Sequence, residues 1–131
     1  MVDIRATSPL ILIADDENTF LHPVAASLAR AGFRVMVSEN GAAALDAFMA
    51  SPDEIALVLT DITMPLMSGT ELAARVREIR PGAKVVLMSA YPGAAILRND
   101  RERFPFLQKP FRLEDLIRVV RATLAPRTTI A

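Results

Sequence analysis

The chain alternates short apolar runs with longer segments in which apolar residues recur three or four positions apart. Short continuous apolar runs predict strands that are buried on both faces of a parallel sheet. Such runs, two of them mainly rather than wholly apolar because they include Arg34 and Lys84, lie at residues 10–14, 33–37, 55–60, 84–88 and 104–107. The longer segments predict amphipathic helices between the strands. The alternation therefore predicts a doubly wound α/β fold, a five-stranded parallel sheet with helices on both faces.

Residues that cap or end helices divide the chain in the same places. Gly32 is a natural C-cap for the first predicted helix. Asn40 is a favourable N-cap for the second, which we expect to end before Pro52. Helical spacing places Met49 on the apolar face of the second helix and Ile79 on that of the third.

The length of the chain, 131 residues, suits one domain, because domains usually contain ~100–200 residues. We expect this domain to occupy residues 9–125, with loose termini at 1–8 and 126–131. Segment 92–103 is polar and weakly patterned, so it is predicted to be a poor or mobile helix. No linker or repeat suggests a second module.

The composition excludes several classes of protein. The absence of cysteine excludes disulfides, thiolate metal sites and cysteine nucleophiles. Fifteen basic residues balance fifteen acidic ones, so neither a nucleic acid nor a membrane is predicted as a partner. The apolar runs are too short to span a membrane, and the start of the chain, which includes Asp3, lacks a secretion signal. We therefore expect a cytoplasmic protein.

Polar side chains stand at the ends of four predicted strands. Asp15 and Asp16 follow the first strand, Asp61 the third, Ser89 the fourth and Lys109 the fifth. Taken singly, each has an ordinary interpretation as a helix cap, a turn residue or a solvated charge. Ligands of open α/β sheets bind at the carboxyl ends of the strands, so together these residues predict a binding site at that edge.

The residue types indicate which chemistry this site supports. Three crowded carboxylates repel one another unless a cation neutralises them, and oxygen ligands without His or Cys suit Mg²⁺. A carboxylate beside Mg²⁺ can attack phosphorus to form an aspartyl phosphate. An ammonium and a hydroxyl can each bind a phosphoryl oxygen. The residues therefore predict a site that accepts a phosphoryl group.

Four motifs carry a resemblance to a known family: LILIADDE (10–17), LVLTDITMPLMSG (57–69), VVLMSAY (85–91) and FLQKPF (106–111). In this order and spacing they resemble the receiver domain of two-component response regulators, in its single-domain type, over about residues 9–125. The chain is also similar to the receivers of hybrid sensor kinases. The resemblance implies a flavodoxin-like (βα)5 fold with strand order 2-1-3-4-5.

The resemblance also implies a role for each acidic residue. Asp61 would be the phosphoacceptor. Asp16 and Asp61 would bind Mg²⁺ directly, and Asp15 would act mainly through water. The backbone carbonyl of Thr63 would supply another ligand. In this family the domain catalyses its own phosphorylation and dephosphorylation and is otherwise not an enzyme.

Further roles follow from the resemblance for residues of the last two strands. Ser89 and Lys109 would hold the phosphoryl oxygens, and the Lys109–Pro110 peptide bond is often cis in the family. Phe106 occupies the position of an aromatic switch residue, although it has no hydroxyl. Tyr91 lies where the family flanks the path of the attacking water, and it can shield the phosphoryl group.

The implied partners are a histidine kinase or histidine phosphotransfer protein and an unknown output protein, with a possible homodimer on phosphorylation. We expect segment 91–111 to transmit the signal through protein contacts. Two alternatives remain open. A pseudo-receiver would keep the fold as an interaction module without phosphorylation. A Mg²⁺-dependent aspartyl phosphatase of the haloacid dehalogenase kind would require Asp where Thr63 stands.

Overall fold

Five parallel strands form one sheet in a computed structural model of the chain, which describes residues 8–90 and 104–125. In chain order, the described elements are β1 (Leu10–Ala14), α1 (Asn18–Arg30), β2 (Arg34–Ser38), α2 (Gly41–Ala50), β3 (Ile55–Asp61), α3 (Gly69–Ile79), β4 (Val85–Ser89), β5 (Phe106–Gln108) and α4 (Leu113–Leu124). The strands are ordered β2-β1-β3-β4-β5, and every neighbouring pair is parallel. The predicted fold and strand order are confirmed.

The two faces of the sheet are covered by different helices. Successive side chains of a strand point to opposite faces. Ile11 and Ile13 of β1 therefore belong to the core packed under α1 and α4, whereas Leu12 and Ala14 belong to the core under α2 and α3. All four are fully buried. Continuous apolar strands thus become two separate cores, as predicted for a doubly wound sheet.

The order of the strands determines where a crevice opens. After β1 the chain crosses to β2 on one side of it, and β3 then lies on its other side. Such a switch point leaves a crevice outside the carboxyl ends of the two central strands. The register aligns Ala14 of β1 with Thr60 of β3, and Asp61 with Met88 of β4. Residues that follow these strands therefore meet at one edge.

Strand boundaries differ slightly from the apolar runs. The backbone N–H of Phe33 donates to the carbonyl of Leu28 at 3.1 Å, so it completes the end of α1 and β2 begins one residue later. Gly32 turns the chain there with φ of 102°, a conformation that glycine adopts readily. β5 begins at Phe106, later than predicted, because Pro105 has no N–H to donate to the sheet.

Two apolar residues that we expected on buried helix faces are exposed. Met49 is 55% exposed and Ile79 is 41% exposed. Each lies in the last turn of its helix, beyond the buried stripe that includes Phe48 in α2 and Val76 in α3. Helical spacing identifies the stripe, but it does not show where the helix passes the edge of the sheet.

Other expectations concern parts of the chain that the structure leaves undescribed. Segment 92–103 and nearly all of the predicted loose termini lie outside the described residues. Within the described ranges, none of the helices is long and apolar enough to cross a membrane.

Glycine allows the loop between β3 and α3 to pack closely against its surroundings. A Cβ atom at Gly69 would overlap the backbone carbonyl of Asp61, and one at Gly41 would overlap the backbone of Met67. The N–H of Gly69 donates to the carbonyl of Ile62 at 2.8 Å. The first turn of α3 is therefore held directly against the end of β3.

We expect Gly69→Ala to lower the free energy of unfolding by about 2–3 kcal/mol, because the added methyl group must displace backbone. Gly82→Ala is the matched control, since a Cβ there meets nothing within 4 Å and should change stability by less than about 0.5 kcal/mol. Urea denaturation of both variants measures the difference. Equal stability of the two would contradict the close packing at Gly69.

Candidate functional site

The predicted polar residues meet at the carboxyl edge of the sheet. A pocket of about 180 Å³ opens there, and its lining residues are Asp16, Glu17, Asp61, Thr63, Ser89, Ala90 and Lys109. Asp15 lies beneath this lining and is fully buried. Asp15 and Lys109 are in direct contact, although 94 positions separate them in the sequence. The structure therefore brings the predicted set together.

Backbone hydrogen bonds between strands hold these residues in place. The N–H of Asp15 donates to the carbonyl of Ser38 at 3.1 Å, which anchors the end of β1 to β2. The N–H of Ile62 donates to the carbonyl of Met88 at 2.9 Å, which anchors the residue after Asp61 to β4. The hydrogen bonding of the sheet thus continues to the residues that form the site.

A backbone bond also joins the last two functional positions. The N–H of Lys109 donates to the carbonyl of Ser89 at 2.8 Å. The Lys109–Pro110 peptide bond that follows is cis. The end of β4 and the start of the segment after β5 are therefore directly linked at the pocket.

Three carboxylates form a cluster at the pocket. Asp15, Asp16 and Asp61 each offer one oxygen, and these three atoms lie within 4.8 Å of one another. Asp15 and Asp61 are buried, whereas Asp16 is exposed. Oxygen donors without nitrogen or sulfur are the set that hard divalent cations prefer. The residues present therefore fit a magnesium ion.

The Lys109 ammonium partly neutralises this cluster. Its Nζ donates to Asp15 Oδ2 at 2.6 Å and lies 3.2 Å from Asp61 Oδ1, and its side chain is only 12% exposed. Burial alone would lower the pKa of Lys109, but the hydrogen bond to Asp15 and the charge of Asp61 raise it above its ordinary value. The lysine therefore stays protonated at neutral pH.

Asp61 retains an excess of unfavourable interactions despite this lysine. Burial raises the pKa of Asp61 from its ordinary 3.8 to about 6; Lys109 opposes the rise, and the charges of Asp15 and Asp16 add to it. The ionised form of Asp61 is therefore less stable here than in water. A second cation in the pocket would relieve this cost.

The remaining predicted residues have different surroundings. Thr63 is exposed and lines the pocket. Phe106 is half-buried in β5 and packs against the core under α2 and α3. Tyr91 lies outside the described residues. Its proposed shielding role thus stays a prediction.

Sequence reasoning missed residues that support the site from behind. The ring of Phe20 lies 3.9 Å from Lys109 Nζ, measured to the ring centroid, but the helical spacing of Phe20 indicates only that it lies on an apolar helix face. The N–H of Glu17 donates to Asp15 Oδ1 at 3.0 Å and so orients this carboxylate. Gly69 allows α3 to approach Asp61. The motifs contain Glu17 and Gly69, but their spacing does not reveal these contacts.

A model of the response regulator receiver domain matches residues 11–121 of the chain. The chain belongs to this family. It is therefore a receiver domain of two-component signalling, a class of domain that interacts with histidine kinases and output domains. The family membership predicted from the four motifs is confirmed.

Curated relatives differ in how much of their length the receiver occupies. The response regulator receiver protein CpdR of Brucella abortus is 36% identical over 118 residues, which cover 87% of this chain and 95% of CpdR. The DNA-binding transcriptional regulator NtrC of a Bradyrhizobium species is 37% identical over 117 residues, which cover 88% of this chain but 24% of NtrC. The chain thus corresponds to nearly all of one relative and about a quarter of the other.

Solved structures show the same fold. The receiver domain of the hybrid histidine kinase CckA superposes with a TM-score of 0.76 at 26% identity, covering 88% of this chain and 99% of that one. The response regulator TrrA of Thermotoga maritima, solved with Mg²⁺ and BeF, superposes with a TM-score of 0.79 at 30% identity, covering 88% and 99%. The similarity to hybrid-kinase receivers, expected from the motifs, is confirmed.

We expect Asp61→Asn to stabilise the chain at pH 8 when a chelator removes divalent cations. The folded pKa of Asp61, about 6, exceeds the ordinary 3.8, so its ionisation favours unfolding as the pH rises from 4 to 6. After allowance for solvent screening, the gain at pH 8 should be about 1–2 kcal/mol. It should disappear near pH 4, where folded Asp61 is already protonated.

Thermal and urea unfolding across this pH range measure the effect. Asp46→Asn is the control for the loss of a carboxylate, since Asp46 is exposed on α2 and does not line the pocket. A wild-type chain that is as stable as Asp61→Asn at pH 8 would contradict the net cost of the Asp61 charge.

Proposed function

We propose that Asp61 accepts a phosphoryl group from a histidine kinase or a histidine phosphotransfer protein and that this event changes the contacts of the receiver with an output protein. One observation carries the assignment: Lys109 Nζ joins Asp15 and Asp61 at a pocket that is open to solvent. Among the three clustered carboxylates, Asp61 ends a central strand and also lines the pocket. A donor can therefore reach it.

The proposed transfer is a displacement at phosphorus. A carboxylate oxygen of Asp61 attacks the phosphorus atom, and the P–N bond of the donor phosphohistidine breaks. The electron pair of that bond returns to the imidazole nitrogen, which takes up a proton. Hydrolysis later removes the phosphoryl group. A water oxygen attacks phosphorus, the bond to the Asp61 oxygen breaks, and the products are inorganic phosphate and the Asp61 carboxylate. The domain thus promotes both its own phosphorylation and its own dephosphorylation.

We assign the metal ligands as Asp16, Asp61 and the backbone carbonyl of Thr63, with Asp15 acting mainly through water. Bound there, Mg²⁺ would neutralise the charge on the phosphoryl oxygens. The clustered oxygen donors support this assignment, as does the TrrA structure with Mg²⁺ and BeF.

Ser89 and Lys109 are proposed to bind the remaining phosphoryl oxygens. Both line the pocket. The ammonium of Lys109 pairs with one oxygen as a point charge, and the hydroxyl of Ser89 donates to another. Lys109 must then exchange a carboxylate partner for the phosphoryl group.

This exchange gives a route for the signal. Ser89 precedes segment 92–103 and Lys109 follows it, and a backbone hydrogen bond joins these two residues. We propose that a phosphoryl group held by both residues alters the conformation of segment 91–111, in which Tyr91 and Phe106 are the switch residues. We also propose that this signalling takes place in the cytoplasm. A homodimer on phosphorylation is one form that the altered contacts can take.

Incubation with a small phosphodonor and Mg²⁺, followed by intact-mass measurement, tests the acceptor. We expect the wild-type chain to gain the mass of one phosphoryl group and Asp61→Asn to gain none. Asp46→Asn should react like the wild type, because Asp46 is an exposed residue of α2. Phosphorylation of Asp61→Asn at another residue would overturn the assignment.

The melting temperature should rise with added Mg²⁺, because the ion binds the folded site and not the unfolded chain. Mass action gives a gain of about 1.4 kcal/mol at tenfold over Kd. Asp16→Asn should lose most of this gain, whereas Asp46→Asn should retain it. A melting temperature unchanged from micromolar to ~20 millimolar Mg²⁺ would favour the pseudo-receiver alternative.

A further inference from the structure

We propose that Phe20 is a positioning residue for Lys109. The ring of Phe20 would hold the Lys109 ammonium against one of its faces while the ammonium exchanges a carboxylate partner for a phosphoryl oxygen. This inference rests on the proposed function of Lys109. It assigns a task to a residue of α1 that none of the four sequence motifs contains.

The contacts of the ammonium carry the inference. Lys109 Nζ lies 3.9 Å from the centroid of the Phe20 ring. The same nitrogen contacts Asp15 Oδ2 at 2.6 Å and Asp61 Oδ1 at 3.2 Å. A cation this close to a ring face is attracted by the negative face of the π system, and the attraction is stronger where water is excluded. The Phe20 ring is therefore a third neighbour of the ammonium, in addition to the two carboxylates.

The ring is itself held in position. Phe20 lies in the first turn of α1, where its N–H donates to the carbonyl of Glu17 at 3.0 Å. The ring of Phe111 packs against it with centroids 5.6 Å apart and planes at 84°. This is the edge-to-face geometry that aromatic pairs favour. Phe111 is two residues from Lys109. The segment after β5 therefore contributes both the lysine and the residue that packs against the Phe20 ring.

An aromatic ring suits a lysine that must change partners. A third carboxylate would bind the ammonium through a directional, charge-assisted hydrogen bond and would compete with the phosphoryl group. A ring face attracts the ammonium without such a bond. Phe20 can therefore limit the positions of Nζ while leaving its N–H donors available to oxygen atoms.

A first experiment observes Lys109 directly. The chain contains two lysines, Lys84 and Lys109, so selective ¹³C labelling of lysine gives two sets of NMR signals. In the wild type, the Hε signals of Lys109 should be shifted upfield by the ring current of Phe20, with Lys84 as the internal reference. The shift should be lost in Phe20→Leu and retained in Phe20→Tyr, because tyrosine keeps the ring face.

A second experiment measures the rate of phosphorylation by a small phosphodonor at saturating Mg²⁺. We expect Phe20→Leu to be about 3- to 10-fold slower than wild type, the range that a cation–π contact of ordinary strength allows. Phe20→Tyr should stay within about twofold. Phe33→Leu is the matched control, since Phe33 is also half-buried against the core under α1 and α4. It should also stay within about twofold of wild type.

The outcomes separate this inference from the proposed function. Loss of the Lys109 shift together with slower phosphorylation only in Phe20→Leu would support it. A Phe20→Leu chain that keeps the shift, or reacts as fast as Phe33→Leu, would overturn it. If the wild type takes up no phosphoryl group, the proposed function fails, and the Lys109 shift alone then decides whether Phe20 positions the ammonium.

Discussion

The ammonium of Lys109 lies between the buried carboxylates of Asp15 and Asp61, and this arrangement governs the chemistry of the sheet edge. Among the described residues, the charge of Lys109 faces three clustered carboxylates, so the neutralisation is incomplete. The pKa of Asp61 is raised chiefly by burial, and the charges of Asp15 and Asp16 add to the rise, which Lys109 only partly offsets. A site with excess negative charge attracts a cation. The electrostatic imbalance at the sheet edge therefore favours binding of a divalent cation there.

The fold supplies the positions that make this arrangement possible. Parallel strands all end at the same edge, and the central ones are buried on both faces, so their last residues enter a partly dehydrated environment. Asp61 is the last residue of β3 and is buried, whereas Asp16, one residue further from its strand than Asp15, is exposed. The difference in burial between neighbouring aspartates thus follows from their distance to the sheet.

Much of this organisation could be predicted from the sequence, because it depends on local patterns. Apolar runs identify strands, and a parallel sheet brings the residues after them to one edge, so Asp61 and Lys109 were predicted as neighbours. The order of the strands has no local signal and came from the family resemblance. The contact of Phe20 with Lys109 could not be predicted, since helical spacing assigns Phe20 to a face but not to a partner 89 positions away. Met49 was placed wrongly for a related reason: periodicity does not locate the end of the surface that a helix covers.

The short bond between Lys109 and the fully buried Asp15 also has a thermodynamic consequence. If the ammonium moves toward a phosphoryl oxygen, Asp15 loses its closest positive partner in an environment where an unpaired charge is costly. A cation beside the same carboxylates reduces that cost. The affinities of the site for the cation and for a phosphoryl group are then positively coupled, and linkage requires each to strengthen the other by the same factor. The buried Asp15 would in this way make the site cooperative within a single small domain.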